Sequence, residues 1–226
     1  MATAPDEVEH TGGMPRVSGT DRMTAFSDGV FAIVITLLVI ELRVPEYHEG
    51  ELLTGLLGEG ASYLAFIVSF VYIGVLWLNH HALLKLIRGT TLALSWINLG
   101  ILFGAVIIPF PTAVLAAAFT HGDVDDQRAA VALYAASAAL MSAPWLVFFA
   151  YLRRHPELLG RRVSAEHVRM QRLRPVTGLV LYGLSGLLGW FANPLLGLIG
   201  LIVMIVYHAV TSQGVHRHAN HQPSLK

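Results

Sequence analysis

The stretch Arg22-Met23-Thr24-Ala25-Phe26-Ser27-Asp28-Gly29-Val30-Phe31-Ala32-Ile33-Val34-Ile35-Thr36-Leu37-Leu38-Val39 decides what kind of chain this is. From Val30 to Leu42 the run is apolar apart from Thr36 and Glu41, so it is a helix that belongs in lipid. An arginine, a serine and an aspartate stand on its first turns. Polar and ionisable groups at such a place are expensive, so they call for a structural partner or a function.

Working outward, the composition agrees with a membrane protein. Hydrophobic residues make up 54% of the 226 and charged residues 13%, with a mean hydropathy of +0.59. A soluble domain of this length needs far more polar surface. The formal net charge is zero, so the placement of charge along the chain carries the information. There is no cysteine, which excludes disulfides, thiolate chemistry and cysteine-based metal sites.

Six apolar segments read as spans of a bilayer core, which about 20 residues cross. They lie at about 25–43, 61–79, 91–118, 129–152, 176–190 and 194–211, with Pro109 and Pro111 near the outer end of the third. Only Phe191-Ala192-Asn193 separates the last two, so these form a tight helical hairpin. The runs are continuous rather than alternating, which predicts an all-α protein with six transmembrane helices and not a β-barrel. The first segment is too long for a cleaved leader, and no small-x-small site follows it before Arg43-Val44-Pro45-Glu46. Residues 1–20 and 213–226 read as polar tails around one membrane unit at 21–212, with no internal repeat.

Loop charge predicts the orientation. The first loop carries Glu46, Glu49, Glu51 and Glu59, and the third carries Asp123, Asp125 and Asp126. The second carries Lys85 and Arg88, and the fourth carries seven arginines, from Arg153 to Arg174. Basic loops stay inside, so the second and fourth loops and both termini are expected to be cytoplasmic. Seven arginines beside a membrane follow this bias and meet anionic lipid headgroups, rather than nucleic acid.

The first helix has two apolar sides. At 100° per residue, Phe26, Gly29, Ile33, Thr36, Leu37, Ile40 and Val44 fall within about 60° of Ile33, and Arg22 lies near that azimuth. Phe31, Ile35, Leu38 and Leu42 lie opposite, while Ser27 and Asp28 point away from the Ile33 side. Periodicity alone does not say which side meets lipid, and the Thr36 hydroxyl has the option of bonding back to its own helix. The second helix ends on the same side of the membrane with Trp77, Asn79, His80 and His81. A network from Ser27 and Asp28 to those groups would satisfy all of them and hold the first helix in place.

The arginine four residues before Phe26-Ser27-Asp28, the helix that this triplet opens, and Trp77-Leu78-Asn79-His80-His81 closely resemble the transmembrane protein 175 family. Its members are potassium-permeable channels of endosomes and lysosomes, with many prokaryotic relatives. The resemblance covers residues from about 20 to 211 and is most specific in the first helix. It implies a pore walled by the first helix of each six-helix unit, four units to a pore. Animal members carry two such units and this chain has one, so the resemblance implies a homotetramer. It also implies a constriction of apolar side chains: Ile33 first, then Leu37 and Ile40 on the same face, with Thr36 adding hydroxyl oxygens beside it. The permeant ions would be K+ and other monovalent cations, no cofactor is implied, and the single-unit chain resembles a multi-pass protein of a prokaryotic plasma membrane. Arg22, Phe26, Ser27 and Asp28, with Trp77, Asn79, His80 and His81, are the signature group.

Other readings have less behind them. His80 and His81 point in different directions on a helix and have no further ligand at useful spacing, so no metal site is expected. The histidines at 216, 218 and 221 belong to a polar tail. None of the common catalytic motifs occurs, so an enzyme is not expected. Asp28 and Glu41 near the two ends of the first helix are almost the only carboxylates within the spans, which favours passive conduction over proton-driven pumping. The competing classes are a secondary transporter, for which Pro109, Pro111 and Pro144 would break helices, and a structural scaffold.

Overall fold

A computed structural model of the chain describes residues 20–160 and 172–212. The tails at 1–20 (Thr20 excepted) and 213–226, and Arg161, Arg162 and Arg169 of the fourth loop, lie outside the described residues. Within them the protein is helical, apart from one antiparallel bridge between Ile87 and Leu159. The helices are α1 (Asp21–Leu37), α2 (Leu52–Gly58), α3 (Gly60–Leu84), α4 (Leu92–Ile107), α5 (Pro109–His121), α6 (Val124–Arg154), α7 (Leu173–Phe191) and α8 (Pro194–Ser212). Among the described residues, four stretches are long and apolar enough to cross a membrane: Asp21–Glu41, Gly60–Leu84, Leu92–His121 and Val124–Arg154.

Three details depart from the sequence expectation. The first helix tightens after Leu37 into a 3-10 turn, Leu38–Glu41, and Leu42 is already extended, so Val44 does not continue the Ile33 face. The acidic first loop contains the short helix α2. The third segment is two helices meeting at Ile108. Pro109 has no N–H to give to Ala105, and the Ile108 N–H bonds that carbonyl instead, at 3.2 Å. A buried hydroxyl cluster sits beside this break. The Ser69 hydroxyl lies 2.7 Å from that of Thr112 and 3.0 Å from that of Tyr134, and Thr112 Oγ1 donates back to the Ile108 carbonyl at 2.7 Å. The cluster ties α3, α5 and α6 together where the backbone ladder is weakest.

The longest helix, α6, starts on a capping box. Asp123 accepts from the backbone of Asp125 and Asp126, and the Asp126 carboxylate accepts from the Asp123 N–H. Asp125 and Asp126 stand in its first turn and Arg153 and Arg154 in its last, the arrangement a helix dipole favours. At the other end of the bundle the second and fourth loops touch. Arg88 N donates to the Leu158 carbonyl, Gly160 N to the Leu86 carbonyl, and Arg88 Nε to the Glu157 carbonyl at 2.6 Å. The two basic loops therefore lie on one side.

The hairpin of α7 and α8 is closed by small residues. A methyl group at position 197 would lie 2.6 Å from Gly189 Cα and 2.8 Å from the Ser185 carbonyl oxygen. On the other flank, a methyl at 186 would meet the Ala135 methyl of α6 at 2.8 Å. Helices approach this closely in membranes where glycine and alanine line the contact. Gly197→Ala is therefore expected to push the hairpin apart and to destabilise it by about 1–3 kcal/mol. Gly183, which has nothing within 4 Å of its added methyl, is the control. Thermal unfolding of the detergent-solubilised protein should show a drop for Gly197→Ala and none for Gly183→Ala.

Candidate functional site

The site is built around α1, which packs on α3 and α4. Its inward face is Phe31, Val34 and Leu38, at 2%, 1% and 0% exposure. Its other face carries Phe26, Ile33, Thr36, Leu37 and Ile40, all exposed on the chain, with Ile33 at 60% and Ile40 at 68%. The division follows from helical geometry: Phe31, Val34 and Leu38 are spaced three and four residues apart, as are Ile33, Leu37 and Ile40.

Thr36 stands among the exposed apolar residues. Its hydroxyl donates back to its own helix, 2.8 Å from the Ile33 carbonyl and 3.1 Å from that of Ala32. This uses the single donor of the group and leaves its lone pairs as acceptors on the exposed face.

The first turns of α1 are held by two separate polar contacts. Ser27 is fully buried; its hydroxyl donates to the Met23 carbonyl at 2.8 Å and accepts from Asn98 Nδ2 at 3.0 Å. The Asn98 carbonyl oxygen stands 2.7 Å from His80 Nε2. A carbonyl only accepts, so His80 donates from Nε2, and in the neutral ring Nδ1 carries no proton. That Nδ1 is buried without a hydrogen-bond partner. The imidazole is wedged between the rings of Phe31 (5.3 Å) and Trp145 (6.2 Å, edge-on). The chain Ser27–Asn98–His80 thus joins α1, α4 and α3. The second contact is on the surface: Trp77 Nε1 donates to Asp28 Oδ1 at 2.8 Å.

The other members of the signature group do not join these contacts. Asn79 faces α7, where its carbonyl oxygen lies 3.4 Å from Arg174 Nη1. His81 lies beside the Trp77 ring, at 6.1 Å, and its Nδ1 is buried without a hydrogen-bond partner. Arg22 and Phe26 are exposed. The residue that sequence reasoning missed is Asn98. Its signal was present, since it is the one amide in the apolar run 91–118.

Trp77→Phe tests the surface contact by removing the indole N–H that serves the Asp28 carboxylate. A hydrogen bond to a charged group contributes about 1.5–3 kcal/mol, less where water competes. With Trp77 39% exposed, the expected loss is about 1 kcal/mol, read as a modest fall in the thermal midpoint. Asp28→Asn keeps an oxygen acceptor and should lose less.

Comparison with known proteins matches this same region. Residues 22–109 match the family described as endosomal/lysosomal potassium channel TMEM175. A potassium channel of Streptomyces collinus is 35% identical over 77% of this chain and 84% of its own length. A potassium channel of Chamaesiphon minutus is 34% identical over 88% of this chain and 97% of its own. The crystal structure of a lysosomal potassium-selective channel TMEM175 homolog from Chamaesiphon minutus superposes with a TM-score of 0.73, at 33% identity, covering 85% of this chain and 97% of that one. With residues 22–109 matched to the family, and 35% and 34% identity to two bacterial relatives over 77% and 88% of its length, this chain belongs to the TMEM175 family.

Proposed function

We propose that the protein is a potassium-permeable cation channel of the cell membrane, conducting passively through a homotetrameric pore walled by α1. The observation that carries this reading is the asymmetry of α1. One face is locked into its own bundle by Phe31, Val34, Leu38 and the Ser27–Asn98–His80 chain. The other presents Ile33, Leu37 and Ile40 together with the acceptor oxygen of Thr36. With its proton given to its own helix, that oxygen is left as an acceptor for water or an ion in the pore. The relatives named potassium channels support the permeant ion.

In this reading 21–212 is one domain of six membrane-crossing helices, α7 and α8 completing the six, with both tails in the cytoplasm. The contact between the second and fourth loops supports a common side for the basic segments. Four symmetry-related copies of α1 surround the axis. Rings of Ile33, Leu37 and Ile40 close it by excluding water, which stops ions without a plug. The Thr36 oxygens replace part of an ion's hydration shell next to the constriction, and selectivity follows the cost of dehydration. Asp28, Ser27, Trp77 and His80 position α1 and do not touch the ion.

The break at Ile108–Pro109 is what a secondary transporter would share. Potassium flux from liposomes containing the purified protein separates the two. The channel predicts flux that follows the potassium gradient alone and does not saturate as carrier exchange does. Flux that requires a coupled counter-substrate would replace the channel with the transporter.

A further inference from the structure

Behind the polar contacts of α1 lies a cavity of about 80 Å³ between α3, α6, α7 and α8. Its polar lining is Tyr72, Asn79, Ser142, Arg174, Tyr182 and His208, and its remaining walls are largely apolar, including Met141, Trp145 and Phe149. Arg174 brings a permanent positive charge, and no carboxylate is among the described residues that line the space. The Tyr182 side chain is 2% exposed, and its buried hydroxyl makes no well-formed hydrogen bond, the Tyr72 hydroxyl being its nearby polar neighbour. Buried hydroxyls are rarely left so, and a ligand or a water in the cavity would satisfy this one. Side chains on a helix lean toward its N-terminus, so Tyr182 leans toward the Arg174 end of α7. Gly178, one turn before Tyr182, leaves the room: a methyl there would lie 3.2 Å from Ser142 Oγ and 3.4 Å from His208 Nε2.

We propose that this cavity binds an amphiphilic anion, with its carboxylate or phosphate head at Arg174 and Asn79, a hydrogen bond from Tyr182, and its apolar tail against Met141 and Trp145. One water needs about 10–15 Å³ of such space, so the cavity has room for an anionic head and the first carbons of a tail. The cavity is partly open, and a longer tail leaves through the opening. Such a ligand comes either from solution or from the adjoining leaflet. Trp145 also meets His80, edge-on with ring centroids 6.2 Å apart. An occupied cavity therefore bears on the ring that holds Asn98 and, through it, Ser27 of α1. The site regulates how firmly α1 is seated, a consequence that rests on the channel reading, whereas the binding does not.

The test uses the full-length purified protein, with hexanoate as soluble probe, hexanol as its uncharged counterpart, and vesicles of phosphatidylcholine with or without phosphatidylglycerol. Binding at saturation is expected to raise the thermal midpoint by about 5 °C or more, with hexanoate in detergent if the ligand is free, or with phosphatidylglycerol if it is a lipid. Arg174→Gln should abolish the rise, Arg174→Lys should keep part of it, and Ala82→Leu should abolish it by filling the cavity. Hexanol stabilising as well as hexanoate, a full rise in Arg174→Gln, or no rise with either anion overturns the site and means the cavity holds water. Potassium flux measured on the same samples should change on binding in the wild type only. Stabilisation with unchanged flux keeps the site and overturns its coupling to α1.

Discussion

Ile33→Asn is expected to raise potassium flux at least tenfold over the wild type. The proposed barrier at Ile33 is the work of bringing an ion and its water through a ring of branched aliphatic groups. Asparagine is smaller in apolar area and offers an amide to hydrogen-bond water in each of the four copies. A net hydrogen bond contributes about 1 kcal/mol, and a barrier lowered by only about 1.4 kcal/mol speeds passage about tenfold. Four copies acting on one ring exceed that easily. Ile33→Val, which keeps the apolar ring and widens it slightly, should raise flux far less. The measurement is ion flux in liposomes at equal protein density. A variant that assembles normally and conducts like wild type would remove Ile33 from the constriction. Leu37 and Ile40 would then be the rings to test.

The second large effect is expected at Asn98. Asn98→Leu removes the donor to Ser27 and the acceptor for His80 Nε2 together. Interhelical hydrogen bonds within membranes contribute only about 0.6 kcal/mol each on average, so the lost bonds alone account for about 1 kcal/mol. The larger part is the orphaned imidazole. His80 is fully buried and its Nδ1 already lacks a partner, so after the change neither nitrogen is satisfied. An unpaired buried polar group costs about 1–3 kcal/mol. The sum, about 2–4 kcal/mol, should appear as a clear loss of thermal stability and of assembled protein. Replacing both partners by apolar groups is often nearly neutral, so Asn98→Leu with His80→Phe should recover most of the stability lost by Asn98→Leu alone. If the double variant is worse than the single one, His80 does something other than hold α1.

How much of this was legible in the sequence depends on what each residue's neighbours are. The two faces of α1 could be read from spacing because one continuous helix fixes azimuth at 100° per residue up to Leu37. That spacing stops applying where the helix tightens: Val44 falls on the Ile33 face only if the angle is carried past Leu42, where the backbone is extended. Sequence pairing of Ser27 and Asp28 with the end of the second helix named the right neighbourhood but too many members. Consecutive residues on a helix point about 100° apart, so Asn79, His80 and His81 have no common neighbour. Trp77 and His81, four apart, share a side. His80 turns inward to Asn98, and Asn79 turns to Arg174. Asn98 itself was hidden because a single amide in an apolar run does not say which helix it faces. The break at Ile108 is marked by Pro109 and Pro111, yet two of the three hydroxyls beside it, Ser69 and Tyr134, come from α3 and α6, far away in the chain. Chain spacing carries local geometry well and distant partners poorly.

The most direct test of the account uses the absence of cysteine from the chain. Ile33→Cys introduces a single thiol, unique in each subunit, into a protein that otherwise cannot react. The account predicts that a water-soluble thiol reagent reaches it when the pore opens and blocks potassium flux, and that oxidation links subunits across the axis into covalent dimers. A thiol at position 33 that reacts only with lipid-soluble reagents, forms no link between subunits and leaves flux untouched would put this face of α1 against the bilayer and contradict the account.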